Sequence, residues 1–171
     1  TLTMPKMIFM ATNDPYWPVD AVKNYIDSIP GDNHICYTPN AGHNLGTKVK
    51  ALTTLSAFFG ITTTNGNYPD CDYEITESDG IITLTVRSEP GQITDADLWI
   101  ADSDDLDFRD EEWLESDPEK TDNNETTSSI RYPESGYLAF YVDLKHKSPS
   151  GFEYTQSTRM FVADTSRLRL K

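Results

Sequence analysis

Apolar side chains follow two different rhythms along the chain, and the change between them falls near Asn65. Residues 6–12, Lys-Met-Ile-Phe-Met-Ala-Thr, form a nearly continuous apolar run after a proline, the pattern of a strand buried on both faces of a parallel sheet. Asn13-Asp14-Pro15 ends it as a turn. Over residues 18–29 the apolar positions Val19, Val22, Tyr25, Ile26 and Ile29 approach helical spacing, with Asp20 in the first turn and Pro30-Gly31 as the stop. A second short strand is predicted over 34–38 and closes at Pro39-Asn40-Ala41-Gly42. A second helix follows over 44–59, with Leu45, Val49, Leu52, Leu55, Phe58 and Phe59 as its apolar stripe and Gly60 as its end.

Beyond that point the period becomes two. Residues 71–76, 81–87, 96–101, 128–132, 136–144 and 154–163 read as strands, bounded by Asp79-Gly80, Pro90-Gly91, Glu134-Ser135-Gly136 and Pro149-Ser150-Gly151. The longest helical stretch among them is 110–115. The pattern predicts an α/β portion, strand-helix-strand-helix, followed by an all-β sandwich of immunoglobulin-like or fibronectin-like type. The boundaries expected are 1–62 for the α/β unit, 63–70 for a linker, 71–166 for the sandwich and 167–171 for a tail.

Charge narrows the partners. The 171 residues carry a formal net charge of −14, most of the excess acid lying between Asp70 and Glu125, and such a surface repels phosphate backbones. Nucleic acid is therefore not an expected partner. No run approaches the roughly eighteen apolar residues of a membrane-spanning helix, and no basic region followed by an apolar one opens the chain, so no membrane insertion is expected. The start at Thr1 reads as a truncation or processing point. Cys36 and Cys71 lack metal-ligand spacing but are free to pair, and no cofactor is expected. Asn124-Glu125-Thr126 matches the glycosylation acceptor pattern, which favours a secreted, extracellular protein.

Two residues carry the candidate chemistry. A strand-helix-strand unit has a right-handed crossover, so the C-terminal ends of both strands share one edge of the sheet, where open α/β sheets place their sites. Asp14 follows the first strand and His43 the second, which brings a carboxylate and an imidazole to one rim. An acid that fixes the tautomer of a histidine, and a histidine that takes a proton from a hydroxyl, are two members of a hydrolase triad. The third is missing: no Gly-x-Ser-x-Gly elbow occurs, and the order Ser, Asp, His of such enzymes places it upstream of Thr1.

Pro5-Lys6-Met7-Ile8, Thr12-Asn13-Asp14-Pro15-Tyr16-Trp17, Asp20-Ala21, Tyr25, Pro30-Gly31 and residues 39–45, Pro-Asn-Ala-Gly-His-Asn-Leu, resemble the C-terminal third of the PhoPQ-activated pathogenicity-related family. Trp99-Ile100-Ala101, Asp107-Phe108-Arg109, Trp113, residues 136–140 and residues 155–162 resemble its C-terminal β-domain. The resemblance implies an α/β-hydrolase-like parent, with Asp14 as triad acid and His43 as triad base. That family includes bacterial proteins of poorly defined activity and a secreted amoebal autocrine proliferation repressor that acts as a chemorepellent. Two functions are therefore expected in competition. One is a serine hydrolase acting on a small-molecule or peptide substrate, of which this fragment alone is inactive. The other is an extracellular signal that engages a cell-surface receptor.

Plainer roles compete at each position. Asp14 alone is an Asx-turn residue and His43 alone a helix-start residue; the pair, in this order and in these loops, carries the triad reading. Asp20 is a rival acid better suited to the helix dipole, and Tyr16 and Trp17 are as readily packing as pocket lining. His34 and His146 are expected at the surface. Asp102, Asp104, Asp105 and Asp107 hint at calcium, but Leu106 interrupts the ligands and the loop reads as solvated. Phe108 is expected to be buried beside Trp99 or Trp113, with Arg109 paired to a carboxylate. The apolar strand 6–12, left at a sheet edge, is expected to pair with another copy or with a missing part of the sheet.

Overall fold

The computed structural model describes residues 2–89, 93–148 and 150–170, so the predicted turn at Pro90-Gly91 and the proline of Pro149-Ser150-Gly151 lie outside the described residues. Described in chain order, the elements are β1 (Lys6–Ala11), two 3₁₀ turns (Ala21–Asn24 and Ile26–Ser28), β2 (Asn33–Thr38) and α1 (Val49–Thr63). Then come β3 (Asp72–Ser78), β4 (Ile81–Arg87), β5 (Ile93–Ser103), β6 (Leu114–Ser116), β7 (Lys120–Thr121) and β8 (Glu125–Arg131). The last three are β9 (Tyr137–Lys147), β10 (Glu153–Ser157) and β11 (Phe161–Asp164). The fold is β-rich, with two sheets and one α-helix among the described residues.

β1 and β2 pair in parallel, Lys6 opposite Asn33 through Ala11 opposite Thr38, so their C-terminal ends lie side by side. The sheet does not stop there. Ser157 of β10 pairs antiparallel with Ile35 of β2, giving a seven-stranded sheet in the order β1-β2-β10-β9-β5-β6, with β11 also on β9. This sheet runs through the 63–70 boundary that composition suggests: β2 meets β10 at Ile35 and Ser157, and the Tyr37 N–H beside that pair donates to Ser157 Oγ at 2.9 Å.

The second sheet, β3-β4-β8-β7, covers one face of the first. Ile82, Leu84 and Val86 of β4, alternating with half-exposed residues, meet Leu98, Leu138, Phe140, Val142, Leu144 and Phe161 in one buried cluster. Period-two alternation put those side chains on one side of each strand, and their burial drives the two sheets together. A second cluster, with Val19, Val22, Ile35, Tyr37, Phe108, Trp113, Ala139, Tyr141 and Met160, joins the N-terminal strands to β9 and to the loop after β5. Gly136 precedes β9 with φ +66, and a Cβ there would sit 2.2 Å from the Ser103 carbonyl oxygen, so only glycine permits this approach.

Four expectations differ from the structure. The helix over 18–29 is instead two 3₁₀ turns, closed by bonds such as Tyr25 N–H to Val22 C=O and Ser28 N–H to Tyr25 C=O. Val, Asn, Tyr, Ile, Asp and Ser are weak helix formers, and burial of Val19 and Val22 fixes the segment without a full helix. The strand over 154–163 is two: Ser157 pairs with Asp143 and Phe161 with Phe140, so three residues oppose two in a bulge. There the Val142 N–H donates to the Thr158 hydroxyl at 3.1 Å. The stretch 110–115 is not helical, and β6 begins at Leu114.

The fourth concerns α1, which starts five residues later than expected and buries another face. Leu45, Gly46 and Lys48 adopt left-handed conformations that delay its start. Ala51, Thr54, Ala57 and Ile61 are buried against β10 and β2, whereas Val49, Leu52, Leu55 and Phe59 are exposed. Small side chains at spacing three allow close approach to the sheet, and the Thr54 hydroxyl accepts from Thr155 N–H at 3.2 Å. Lys50 reaches the fully buried Asp143, whose other oxygen accepts from Ser157 Oγ at 2.5 Å.

Candidate active site

The parallel pairing of β1 and β2 decides where the candidate residues fall. Backbone bonds continue past the strands: Thr12 N–H donates to Thr38 C=O at 3.1 Å and Asn13 N–H to Ala41 C=O at 3.0 Å. The two following loops are thereby zipped together, and His43 Nδ1 comes within 2.8 Å of Asp14 Oδ2. The carboxylate accepts, so Nδ1 carries the proton and the lone pair rests on Nε2. Asp14 Oδ1 accepts from the Tyr16 N–H at 2.9 Å. The Asp14 side chain is only 12 % exposed while that of His43 is 62 % exposed, so the acid is sheltered and the base faces outward.

Burial alone would push the Asp14 carboxyl up, yet the N–H groups of Tyr16 and Trp17 and the His43 ring together hold it below its ordinary value. The Tyr16 ring stands edge-on to His43 with centroids 5.0 Å apart, limiting the ring's swing from one side. Among the described residues, no hydroxyl or thiol is hydrogen-bonded to the other nitrogen of His43. An open groove of about 430 Å³, bordered by Phe9, Met10, Trp17, Tyr25 and Leu45, adjoins the pair.

Asp14 and His43 are thus brought together, and the other singled-out residues are not part of that pair. Asp20 bonds Lys23 Nζ at 2.6 Å and makes no side-chain cap to the 3₁₀ turn. His34 and His146, expected at the surface, are 5 % and 1 % exposed. His34 packs on Tyr68 and meets Gln156 Nε2 through Nδ1 at 3.1 Å, and burial holds its pKa below the usual value. His146 stacks near Tyr154 at 5.3 Å. β2 is buried on both faces along residues 34–37, so His34 has no solvent side to take, and His146 falls on a covered position near the end of β9. Cys36 and Cys71 are both free thiols, and burial pushes them up to about 11 and about 12.

In the acidic loop, Asp105 accepts from Asp107 N–H at 2.6 Å and Asp107 is bridged to the Arg109 guanidinium. Among the described residues no three His, Cys, Asp or Glu side chains are grouped to hold a metal ion. Phe108 is buried with its ring 6.3 Å from that of Trp113.

Sequence reasoning read Thr12 as a strand end and Asn13 and Asn40 as turn residues, yet the three build the frame of the site. Asn40 N–H donates to Thr12 Oγ1 at 2.8 Å, and the Thr12 hydroxyl donates to Asn13 Oδ1 at 2.6 Å. Asn13 Nδ2 then donates to the Glu111 carbonyl at 2.7 Å. Asn40 binds the Trp113 backbone twice, accepting from its N–H and donating to its C=O, both at 2.8 Å. An asparagine directly before Asp14 and another three positions before His43 were the available signal; partners 73 and 98 positions away were not visible from it.

No curated protein and no solved structure matches the chain. A family model described as PhoPQ-activated pathogenicity-related protein matches residues 1–109, which takes in β1, β2, α1, β3, β4, β5, both site loops and Arg109. That match covers well over half of the 171 residues, and the chain belongs to the PhoPQ-activated pathogenicity-related protein family.

Proposed function

We propose that Asp14 and His43 are the acid and base of a hydrolase relay whose hydroxyl nucleophile comes from outside residues 1–171. The observation that carries this is the 2.8 Å contact between carboxylate and imidazole on neighbouring loops at the ends of parallel strands. In this reading residues 1–62 close an α/β-hydrolase sheet, and residues 71–166 form an immunoglobulin-like or fibronectin-like sandwich of a secreted protein. The outward lone pair of His43 takes the proton of an attacking hydroxyl, and Asp14 holds the ring and balances the imidazolium. The open edge of β1 is the place where a further strand, from the rest of such a sheet or from another copy, completes the backbone pairing.

A fluorophosphonate probe tests the proposal. The 171-residue chain alone is expected to stay unlabelled. A longer polypeptide carrying it together with a Gly-x-Ser-x-Gly elbow is expected to label at that serine and to lose labelling in His43→Ala. Labelling of the chain alone overturns the external nucleophile. Failure of the longer polypeptide to label overturns the hydrolase reading and leaves receptor-mediated signalling as its replacement.

A further inference from the structure

The loop between β5 and β6 belongs to the part of the chain that sequence alone reads as a separate sandwich, yet it grips both site loops. Arg109 Nη1 donates to the Pro15 carbonyl at 3.0 Å, the Glu111 carbonyl accepts from Asn13, and the Trp113 backbone is held twice by Asn40. Asn13 and Pro15 are the two chain neighbours of Asp14, and Asn40 stands three positions before His43. Asn40 has φ +52, a left-handed conformation that asparagine tolerates better than most residues, so its amide is delivered to Trp113 by the same turn that sends the chain on to His43. The anchor at the far side is firm: Trp113 and Phe108 are both 2 % exposed in the cluster shared with Tyr37 and Tyr141.

We infer that Asn13, Asn40 and Arg109 are positioning residues, through which the segment 109–113 holds the Asp14 carboxylate against His43 Nδ1. The inference rests on the acid–base reading of that pair. A histidine ring that is 62 % exposed has water available to both nitrogens, so a single carboxylate contact fixes its tautomer only if the carboxylate itself cannot drift. Asp14 is fixed by two neighbours whose own polar groups are tied to a loop anchored by the buried Phe108 and Trp113, and the His43 loop is tied to the same loop through Asn40. Arg109 is itself set by its bridge to Asp107, so the acidic loop serves as the brace of the clamp rather than as a cation site.

The readout is the tautomer of His43, followed by imidazole ¹⁵N NMR on the 171-residue chain at a pH where the ring is neutral. The wild type is expected to show the proton on Nδ1. Asp14→Asn should lower that tautomer's share by about twofold or more, because the charged acceptor is gone; an unchanged spectrum there removes the acid–base reading itself. Asn40→Ala and Asn13→Ala are expected to produce a similar loss while the far-ultraviolet spectrum and the shifts of the Leu84 and Val142 methyl groups stay put. If either asparagine variant fails to fold, Arg109→Ala decides, since that side chain is half exposed, and Arg109→Lys, which keeps a donor for the Pro15 carbonyl, should restore part of the Nδ1 tautomer. A wild-type tautomer ratio in folded Asn40→Ala, Asn13→Ala or Arg109→Ala overturns the positioning role even where Asp14→Asn behaves as expected.

Discussion

Asp14 illustrates how much one residue's chemistry depends on its loop. Its carboxylate is nearly buried, which by itself disfavours charge, and it stays low in pKa because two backbone N–H groups and an imidazole point at it. A depressed acid stabilises the fold above its unfolded value of about 3.8, and that contribution is lost as the pH falls through the folded value. Replacing His43 by alanine removes one of the three donors, so the Asp14 carboxyl carbon should titrate at higher pH than in the wild type, as followed by ¹³C NMR. An unshifted titration would mean that the His43 contact does not persist in solution. Two partly exposed carboxylates act in the same window: Asp107, beside Arg109, and Asp164, held by the Ser166 N–H, are both lowered to about 2. Acid unfolding monitored by tryptophan emission should therefore set in below about pH 4, where the unfolded chain takes up protons at these positions that the folded chain still resists.

α1 and β1 show at the scale of elements what periodicity reveals and what it hides. The 3.6-residue rhythm located the helix, but the larger side chains of its apolar stripe lie outward and the small residues Ala51, Thr54 and Ala57 lie inward. Periodicity measures which positions are apolar; the depth available between helix and sheet decides which of them can be accommodated. The partly exposed Lys50, paired with the fully buried Asp143, then locks the helix to the sheet. Lys50→Met should cost about 3–5 kcal/mol in urea unfolding, since it strands a carboxylate with no exposure, while adding Asp143→Leu should recover most of that loss. Equal stability of Lys50→Met and wild type would show the pair to be idle. β1 is an edge strand in which Met7, Ile8, Phe9 and Met10 are all only half covered. We expect concentration-dependent self-association in sedimentation velocity, suppressed by Ile8→Lys, because a charged side chain at an edge opposes strand addition. A wild-type chain that sediments as a monomer across a hundredfold dilution series would remove this edge as a contact.

At the scale of the whole molecule, the two halves are one packed body, since a single sheet and a shared aromatic cluster cross between them. The thiols report on that body from both sides of the composition change. Cys36 lies in β2 and is fully buried, Cys71 just before β3, and burial raises both to about 11 and about 12, so neither presents thiolate near neutral pH. A disulfide reagent at pH 8 should react slowly with both in the native chain and rapidly once urea unfolds it, with the two rates rising at the same denaturant concentration. Separate thresholds would show that the halves unfold independently. The sequence by itself determined the β-strand rhythm, the parallel β1 and β2, the family, and the pairing of Asp14 with His43, because alternation, turn residues and crossover handedness are local or nearly local rules. Only tertiary structure decided that β10 would extend the first sheet, that His34 and His146 would turn inward, and that Asn13 and Asn40 would be held by residues 109–113. Those outcomes depend on which free edges and backbone groups meet after the chain has closed on itself, and contacts across some seventy to a hundred positions leave no periodic trace in the order of residues.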